Sequence, residues 1–195
     1  EKDALSIELI EAIKPRYVFF GHWSWIVPET ILNAVECVCF HMTDVPFGRG
    51  GSPLQNLIDQ GAKETKLTAL KMTKNLDAGP IYCKRPLSLS GTAQEIFERM
   101  TPIMFSMVEL IISQEPEPVP QRGEPVYFAR RTPEMSEVPH EGDLLKLYNH
   151  IRMLDAETYP KAFIDHGEFR IFFKKAIRKG EKMIKLEAEI SKIAS

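Results

Sequence analysis

The chain has 195 residues, 44% of them hydrophobic and 27% charged, the make-up of a globular protein rather than a disordered one. A formal net charge of −2, from 25 Lys and Arg against 27 Asp and Glu, excludes a global basic field for nucleic acid but leaves room for a local patch. No apolar run reaches the about 18 residues needed to cross a bilayer, and no basic-then-apolar leader opens the chain. A cytoplasmic protein with Cys37, Cys39 and Cys83 reduced is therefore expected.

The chain starts inside a helical pattern and without an initiator Met, so an N-terminal part of the fold is expected upstream. Leu5, Ile7, Leu9, Ile10 and Ile13 fit a helix that Pro15 stops. Tyr17, Val18, Phe19 and Phe20 then read as a buried parallel strand ending at Gly21. A short helix over 28–34 precedes a second buried strand, from Cys37 to His41, and this strand–helix–strand rhythm predicts a mostly parallel, Rossmann-like α/β sheet. A glycine-rich loop follows. Ser52 and Gln55 have capping-box spacing, and Pro53 opens a helix through Ile58. Residues 65–72 alternate polar and apolar, which predicts a strand with one exposed face. A turn over 75–80 and a strand over 81–89 come next, and Thr92 with Glu95 caps an amphipathic helix to about Ser113.

Composition changes at Gln114, where prolines at 116, 118 and 120 sustain neither helix nor strand. The division expected is a core over 1–113, a proline-rich linker over 114–125 and a small β-rich extension over 126–195. Within the extension, a helix over 143–153 precedes strands at 162–164, 169–176 and 183–190 in an antiparallel meander, turning at His166-Gly167 and Lys179-Gly180.

Ligands bind open α/β sheets beyond the carboxyl ends of the strands. His22 and Ser24 follow the first strand, His41 ends the second, and Asp77 lies in the loop after the third. A His with a carboxylate is an acid–base unit, because the carboxylate fixes the tautomer and stabilises the charged ring. Spacing alone makes this a weak indication, since many proteins hold such residues at strand ends without catalysis. The glycine-rich run lacks a following Lys-Ser/Thr, which rejects a P-loop. His140, His150 and His166 lack metal-ligand spacing, so no metal site is expected. Lys174-Lys175 and Arg178-Lys179 form a modest basic patch, read first as a solvated strand face.

His41, Pro46, Arg49-Gly50 and Pro53 stand in the order of a motif, Asn-x-His, spacer, Pro, Arg-Gly, Pro, and in this respect the chain resembles the folate-dependent formyltransferases. Leu76-Asp77-Ala78-Gly79 is similar to the second motif of that family, with Asp77 lying 36 residues beyond His41. The likeness runs from about Tyr17 to Phe163. It implies formyl transfer from 10-formyltetrahydrofolate to a primary amine, with His41 stabilising the oxyanion and Asp77 serving its basicity and the proton of the amine. By the same resemblance Trp23, Ser24, Trp25, Ile26, Asn75 and Leu76 are expected at the folate, and Thr43, Arg49 and Gly50 at the acceptor loop.

One position departs from the motif. Cys39 stands where the family has Asn, and a thiol is a weak hydrogen-bond donor. Its first reading is a buried small hydrophobe; a thiol nucleophile is the remote one. Arg130-Arg131-Thr132-Pro133-Glu134 resembles a motif of sugar-nucleotide formyltransferases, so an amino-sugar nucleotide is the expected acceptor. Methionyl-tRNA is the alternative. A folate-binding protein impaired by Cys39, and hydrolysis of the donor by water, are the rival readings. No membrane partner is expected.

Overall fold

Ser6 opens helix α1 (Ile7–Ile13), its hydroxyl accepting from the Leu9 N–H at 3.2 Å, and Lys14 closes it in the left-handed conformation just before Pro15. The computed structural model describes residues 5–193. After α1 come β1 (Tyr17–Phe20), α2 (Glu29–Ala34), β2 (Glu36–His41), β3 (Arg49–Gly50), α3 (Pro53–Asp59), β4 (Glu64–Lys71), β5 (Ile81–Ser88) and α4 (Ala93–Gln114). Then follow β6 (Tyr127–Phe128), a 3-10 turn at Pro133–Ser136, α5 (Leu144–Leu154), β7 (Ala162–His166), β8 (Phe169–Lys179) and β9 (Met183–Lys192). Among the described residues no helix is long and apolar enough to cross a membrane.

The chain forms two interleaved units. The first runs through Pro53 and adds Thr65–Leu87 and Met100–Phe128; the second takes Leu54–Glu64, Ser88–Arg99 and the chain from Ala129 onward. Linear division at 113 and 125 is thus a division of composition, not of packing, because two internal segments join the C-terminal unit.

In the first unit the strands are ordered β1-β2-β4-β5. β1 and β2 are parallel, with Phe20 beside Cys39, whereas β2 and β4 are antiparallel, with His41 beside Thr68. The sheet is therefore mixed, its parallel character carried by β1 and β2. Ile10, Phe20, Val27, Ile31, Val35 and Cys37 form a core cluster. β4 departs from expectation: Leu67, Thr68, Ala69 and Leu70 are all buried, because β4 lies inside the sheet with a strand on either side. Thr68 keeps the alternating pattern legible but misleading, since its hydroxyl is buried and donates to the Thr43 carbonyl at 2.7 Å. The proline-rich run is likewise not free of the sheet. Val119 and Ile81 exchange two backbone hydrogen bonds of 2.8 Å.

The second unit holds the antiparallel meander β7-β8-β9 and α5, as the turn chemistry predicts. Asp143 caps α5 by accepting from the Lys146 N–H at 2.8 Å. Buried Arg152 donates through Nη1 to the carbonyls of Leu89 (2.6 Å) and Gly91 (2.8 Å) and through Nε to Asn149 (2.8 Å). β8 is bulged between Lys174 and Ile177, where Lys175 has φ 51° and turns its N–H onto the Asp155 carboxylate at 2.7 Å.

Candidate active site

His41 is the last residue of β2, an interior strand, and the parallel register with β1 sends the Gly21–Pro28 connection out at the same end of the sheet. The His41 ring is buried, 8% exposed, so its two nitrogens meet protein groups rather than bulk water. Nε2 donates to the Gly48 carbonyl at 2.7 Å, the role an imidazole nitrogen must take toward a carbonyl. Nδ1 faces Asp77 Oδ2 at 3.6 Å, within ion-pair range but too long for a hydrogen bond. His41 and Asp77, expected at one crevice from their strand-end positions, thus do meet.

Three constraints aim the Asp77 carboxylate. Its residue has φ 49°, a left-handed conformation uncommon for a residue with a side chain. Oδ2 accepts from the Gly50 N–H at 2.9 Å, and its own carbonyl accepts from Gln121 Nε2 at 2.8 Å. Gly50 reaches this position because β3 pairs with β6, Arg49 beside Tyr127 and Gly50 beside Phe128. At φ 105°, a Cβ on Gly50 would lie 2.5 Å from the Phe128 carbonyl, so only glycine fits between the carboxylate and β6.

The loop before β3 is fixed from below. The Val45–Pro46 peptide is cis, and Lys84 Nζ donates to the Val45 carbonyl at 2.6 Å and to the Asp44 carboxylate. Burial acts against ionisation of Asp44, but hydrogen bonds from Lys84 and Lys66 outweigh it and hold its carboxyl below the usual range. Thr43, expected at the acceptor, is fully buried and gives its hydroxyl to the Gly48 carbonyl at 3.2 Å. It supports the loop that carries Gly48.

Cys39 is partly exposed between buried Val38 and Phe40. Burial of its sulfur, together with the nearby Asp77 carboxylate, pushes the thiol far above its ordinary pKa. A thiol shifted in this direction is less readily ionised and so less suited to act as a nucleophile. Of the expected folate residues, Trp25, Ile26 and Leu76 are 48%, 84% and 57% exposed, unusual for such side chains. Trp23 instead packs edge-on against Phe20 and Trp25, ring centroids 5.1 Å apart in each case, with its indole N–H buried and unpartnered. Ser24 lies between them in the same loop, and the Asn75 carbonyl accepts from Thr73 and from the Ala78 N–H within the Asp77 turn. His22 closes β1 with φ 52°.

Two features escape sequence reasoning. The Gly48 carbonyl that orients His41 is a backbone group in a loop. Gln121, in the proline-rich run, donates to the carbonyls of Asp77 and Gly79 and accepts from Arg49 Nε (3.1 Å) and Nη2 (2.8 Å). Nothing in its local sequence marks it; a lone Gln after a proline reads as solvated linker.

A histidine and a carboxylate 3.6 Å apart beyond the carboxyl end of a strand, each held by a loop carbonyl or amide, make a candidate acid–base site. Comparison with known proteins narrows this. A solved structure of methionyl-tRNA formyltransferase from Clostridium thermocellum is similar at 48% identity and a TM-score of 0.96, over 98% of this chain and 85% of that one. The profile of the methionyl-tRNA formyltransferase C-terminal domain matches residues 133–191. The methionyl-tRNA formyltransferase of Sinorhizobium medicae is 31% identical over 150 residues, 72% of this chain and 47% of the relative. A structure described as a likely sugar N-formyltransferase from Mycobacterium tuberculosis shares the fold, with a TM-score of 0.71 at 17% identity over 88% of this chain and 78% of that one. The chain belongs to the folate-dependent formyltransferase family, and it spans about half the length of the curated relatives it matches.

Proposed function

We propose that the chain transfers the formyl group of 10-formyltetrahydrofolate to the amine of methionyl-tRNA. The observation that carries this reading is the His41–Asp77 pair, 3.6 Å apart and locked by Gly48 and Gly50, in a chain so similar to a methionyl-tRNA formyltransferase. The amine nitrogen attacks the formyl carbon, and the carbonyl oxygen becomes an oxyanion. With Nε2 engaged by Gly48, His41 works through Nδ1, which when protonated donates to that oxyanion. Asp77 stabilises the charged ring and takes the proton from the amine, directly or through water. Collapse of the intermediate breaks the bond to the folate nitrogen, which takes up the proton that Asp77 received, and releases tetrahydrofolate. Trp25, Ile26 and Leu76 form the apolar surface for the donor's ring system, with Trp23, Ser24 and Asn75 framing it; Arg49 and Gly50 face the acceptor.

The acceptor expected from the Arg130-Arg131-Thr132-Pro133 motif was an amino-sugar nucleotide. Arg131 is instead engaged within its own unit, donating to the Met135 carbonyl at 2.8 Å and lying 3.8 Å from Asp59, so the motif supports a turn. The match of 133–191 to the C-terminal domain of a tRNA-acting family favours methionyl-tRNA. Cys39 favours a second reading, a folate-binding protein with impaired turnover, since a neutral thiol replaces a strong oxyanion donor.

One assay separates these. The chain is given 10-formyltetrahydrofolate with charged methionyl-tRNA, with amino-sugar nucleotides, or with no amine, beside His41→Ala. Formyl-methionyl-tRNA formed by the wild type and lost in the variant is the expected result. Its rate at subsaturating tRNA should fall with added salt, as phosphate contacts require. Folate binding without turnover would establish the impaired protein; formate released without an amine would establish hydrolysis.

A further inference from the structure

The carboxamide of Gln121 sits between the two segments that hold the catalytic carboxylate. Nε2 donates to the carbonyls of Asp77 and Gly79, each at 2.8 Å, and Oε1 accepts from Arg49 Nε and Nη2 at 3.1 and 2.8 Å. A carboxamide has two N–H donors and one oxygen with two lone pairs, and here every one has a partner. The chemistry also fixes which end is which. A flipped amide would set its oxygen against two carbonyls and its N–H groups against a guanidinium.

This group is delivered by the proline-rich run. The paired hydrogen bonds between Val119 and Ile81 anchor that run at the start of β5, two residues before Gln121. Arg49, gripped from one side by Gln121, has Tyr127 on the other, with Nη1 3.4 Å from the phenol oxygen and the guanidinium 5.9 Å from the ring centre. The residue after Arg49 is Gly50, whose N–H donates to Asp77 Oδ2 at 2.9 Å. A single side chain thereby restrains the backbone beneath Asp77 and the neighbour of the amide that aims its carboxylate.

The restraint matters because Asp77 has φ 49°, a left-handed conformation that Asp tolerates better than most side-chain-bearing residues but does not prefer. A turn held by its own internal bonds alone would have other conformations open to it. In those, the carboxylate leaves Nδ1 of His41.

We propose that Gln121 is a positioning residue for the reaction: through the Asp77 turn and Arg49, it sets the carboxylate against His41. This rests on the formyl-transfer reading. Gln121 contacts neither ring nitrogen of His41 and acts only through the residues it holds.

Its test is a double-mutant cycle in the full chain. Gln121→Met keeps length and volume and removes all four hydrogen bonds. Gln121→Glu keeps the grip on Arg49 but sets a carboxylate oxygen against the carbonyls of Asp77 and Gly79. Both should lower kcat about 10- to 100-fold, the scale of misplacing a catalytic group by about 1 Å, with KM for the folate donor within about threefold. In an Asp77→Asn background, Gln121→Met should change kcat less than about twofold, because the group it positions is gone. A merely structural role would instead multiply the losses in both backgrounds, and that outcome overturns the proposal. So does an unchanged kcat in Gln121→Met, or a loss confined to KM. Circular dichroism and thermal unfolding establish that each variant is folded; should Gln121→Met fail to fold, Gln121→Glu carries the same cycle. Absence of turnover in the wild type on every acceptor overturns the formyl-transfer reading itself, and this role falls with it.

Discussion

On β2 the side chains of Cys39 and His41 project to the same face, two residues apart, with the Asp77 carboxylate close to both. An Asn at 39 would extend an amide donor over that face; the thiol there is uncharged and donates weakly. Removing one oxyanion donor typically lowers turnover by about 10²- to 10³-fold, so restoring one is expected to recover part of that range. Cys39→Asn should raise kcat by about tenfold or more in steady-state formyl transfer, with little change in donor affinity. An unchanged kcat would mean that another group already serves the oxyanion.

The Asp77 turn is where local geometry leaves least freedom. A Cβ on Gly79 would lie 1.7 Å from the Lys71 carbonyl oxygen and 3.3 Å from the Thr73 methyl, so Gly79→Ala must move the whole turn. Loss of about 2 kcal/mol of stability is expected from such overpacking. A fall in kcat of about 10²-fold is expected from the displaced carboxylate. Thermal unfolding beside kinetics checks both, and the variant should still fold. The acid response of the second unit has a different cause. His150 is buried, donates to the Ser136 carbonyl at 3.2 Å, and has its pKa pulled below that of an exposed histidine, chiefly by burial. Between its folded value and about 6.5, the unfolded chain binds a proton that the folded chain does not. Stability is therefore full above about pH 6.5 and declines as pH falls below it. In His150→Gln the midpoint temperature should fall less between pH 6.5 and 5 than in the wild type. In the first unit, burial lowers the pKa of His22 in the same sense and adds to the fall in both proteins.

These elements also show what a sequence can and cannot reveal. His41 and Asp77 stood out in the sequence chiefly through their resemblance to two formyltransferase motifs, strand-end position alone being a weak mark, whereas the turns of the β7-β8-β9 meander were legible from their glycines. Thr68 was misread because a buried hydroxyl bonded to a backbone carbonyl looks, in a polar–apolar alternation, like a solvent-facing one. Pairing of β3 with β6 spans two residues on each side, below the reach of any periodicity. Gln121 was invisible because its bonds run 42 to 72 residues away in sequence, and only the folded chain brings their partners together.

At the scale of the whole molecule, the composition break at Gln114 suggests a core that ends there, yet the packing crosses it. Leu54–Glu64 and Ser88–Arg99 belong with the chain beyond Ala129. The bonds that join them are specific. Gln55 donates to the Met153 carbonyl at 3.3 Å, Arg152 to those of Leu89 and Gly91, and the Gln94 N–H to that of Asp155 at 3.0 Å. Leu54, Ile58, Leu89 and Ile96, all at most 1% exposed, stand on one side of the break in sequence, and Ile151, Met153, Leu154 and Ala162 on the other. A chain ending at Phe128 keeps the first set of apolar residues and loses the second. It also leaves two carbonyls without the buried guanidinium that satisfied them. Such a fragment should therefore lack a cooperative thermal transition and bind an exposed-apolar-surface dye, although it retains His41, Asp77 and Gln121. The full chain should show a cooperative thermal transition by circular dichroism. A fragment that melts cooperatively would show that the first unit is self-sufficient, and that the segments at 54–64 and 88–99 tolerate solvent.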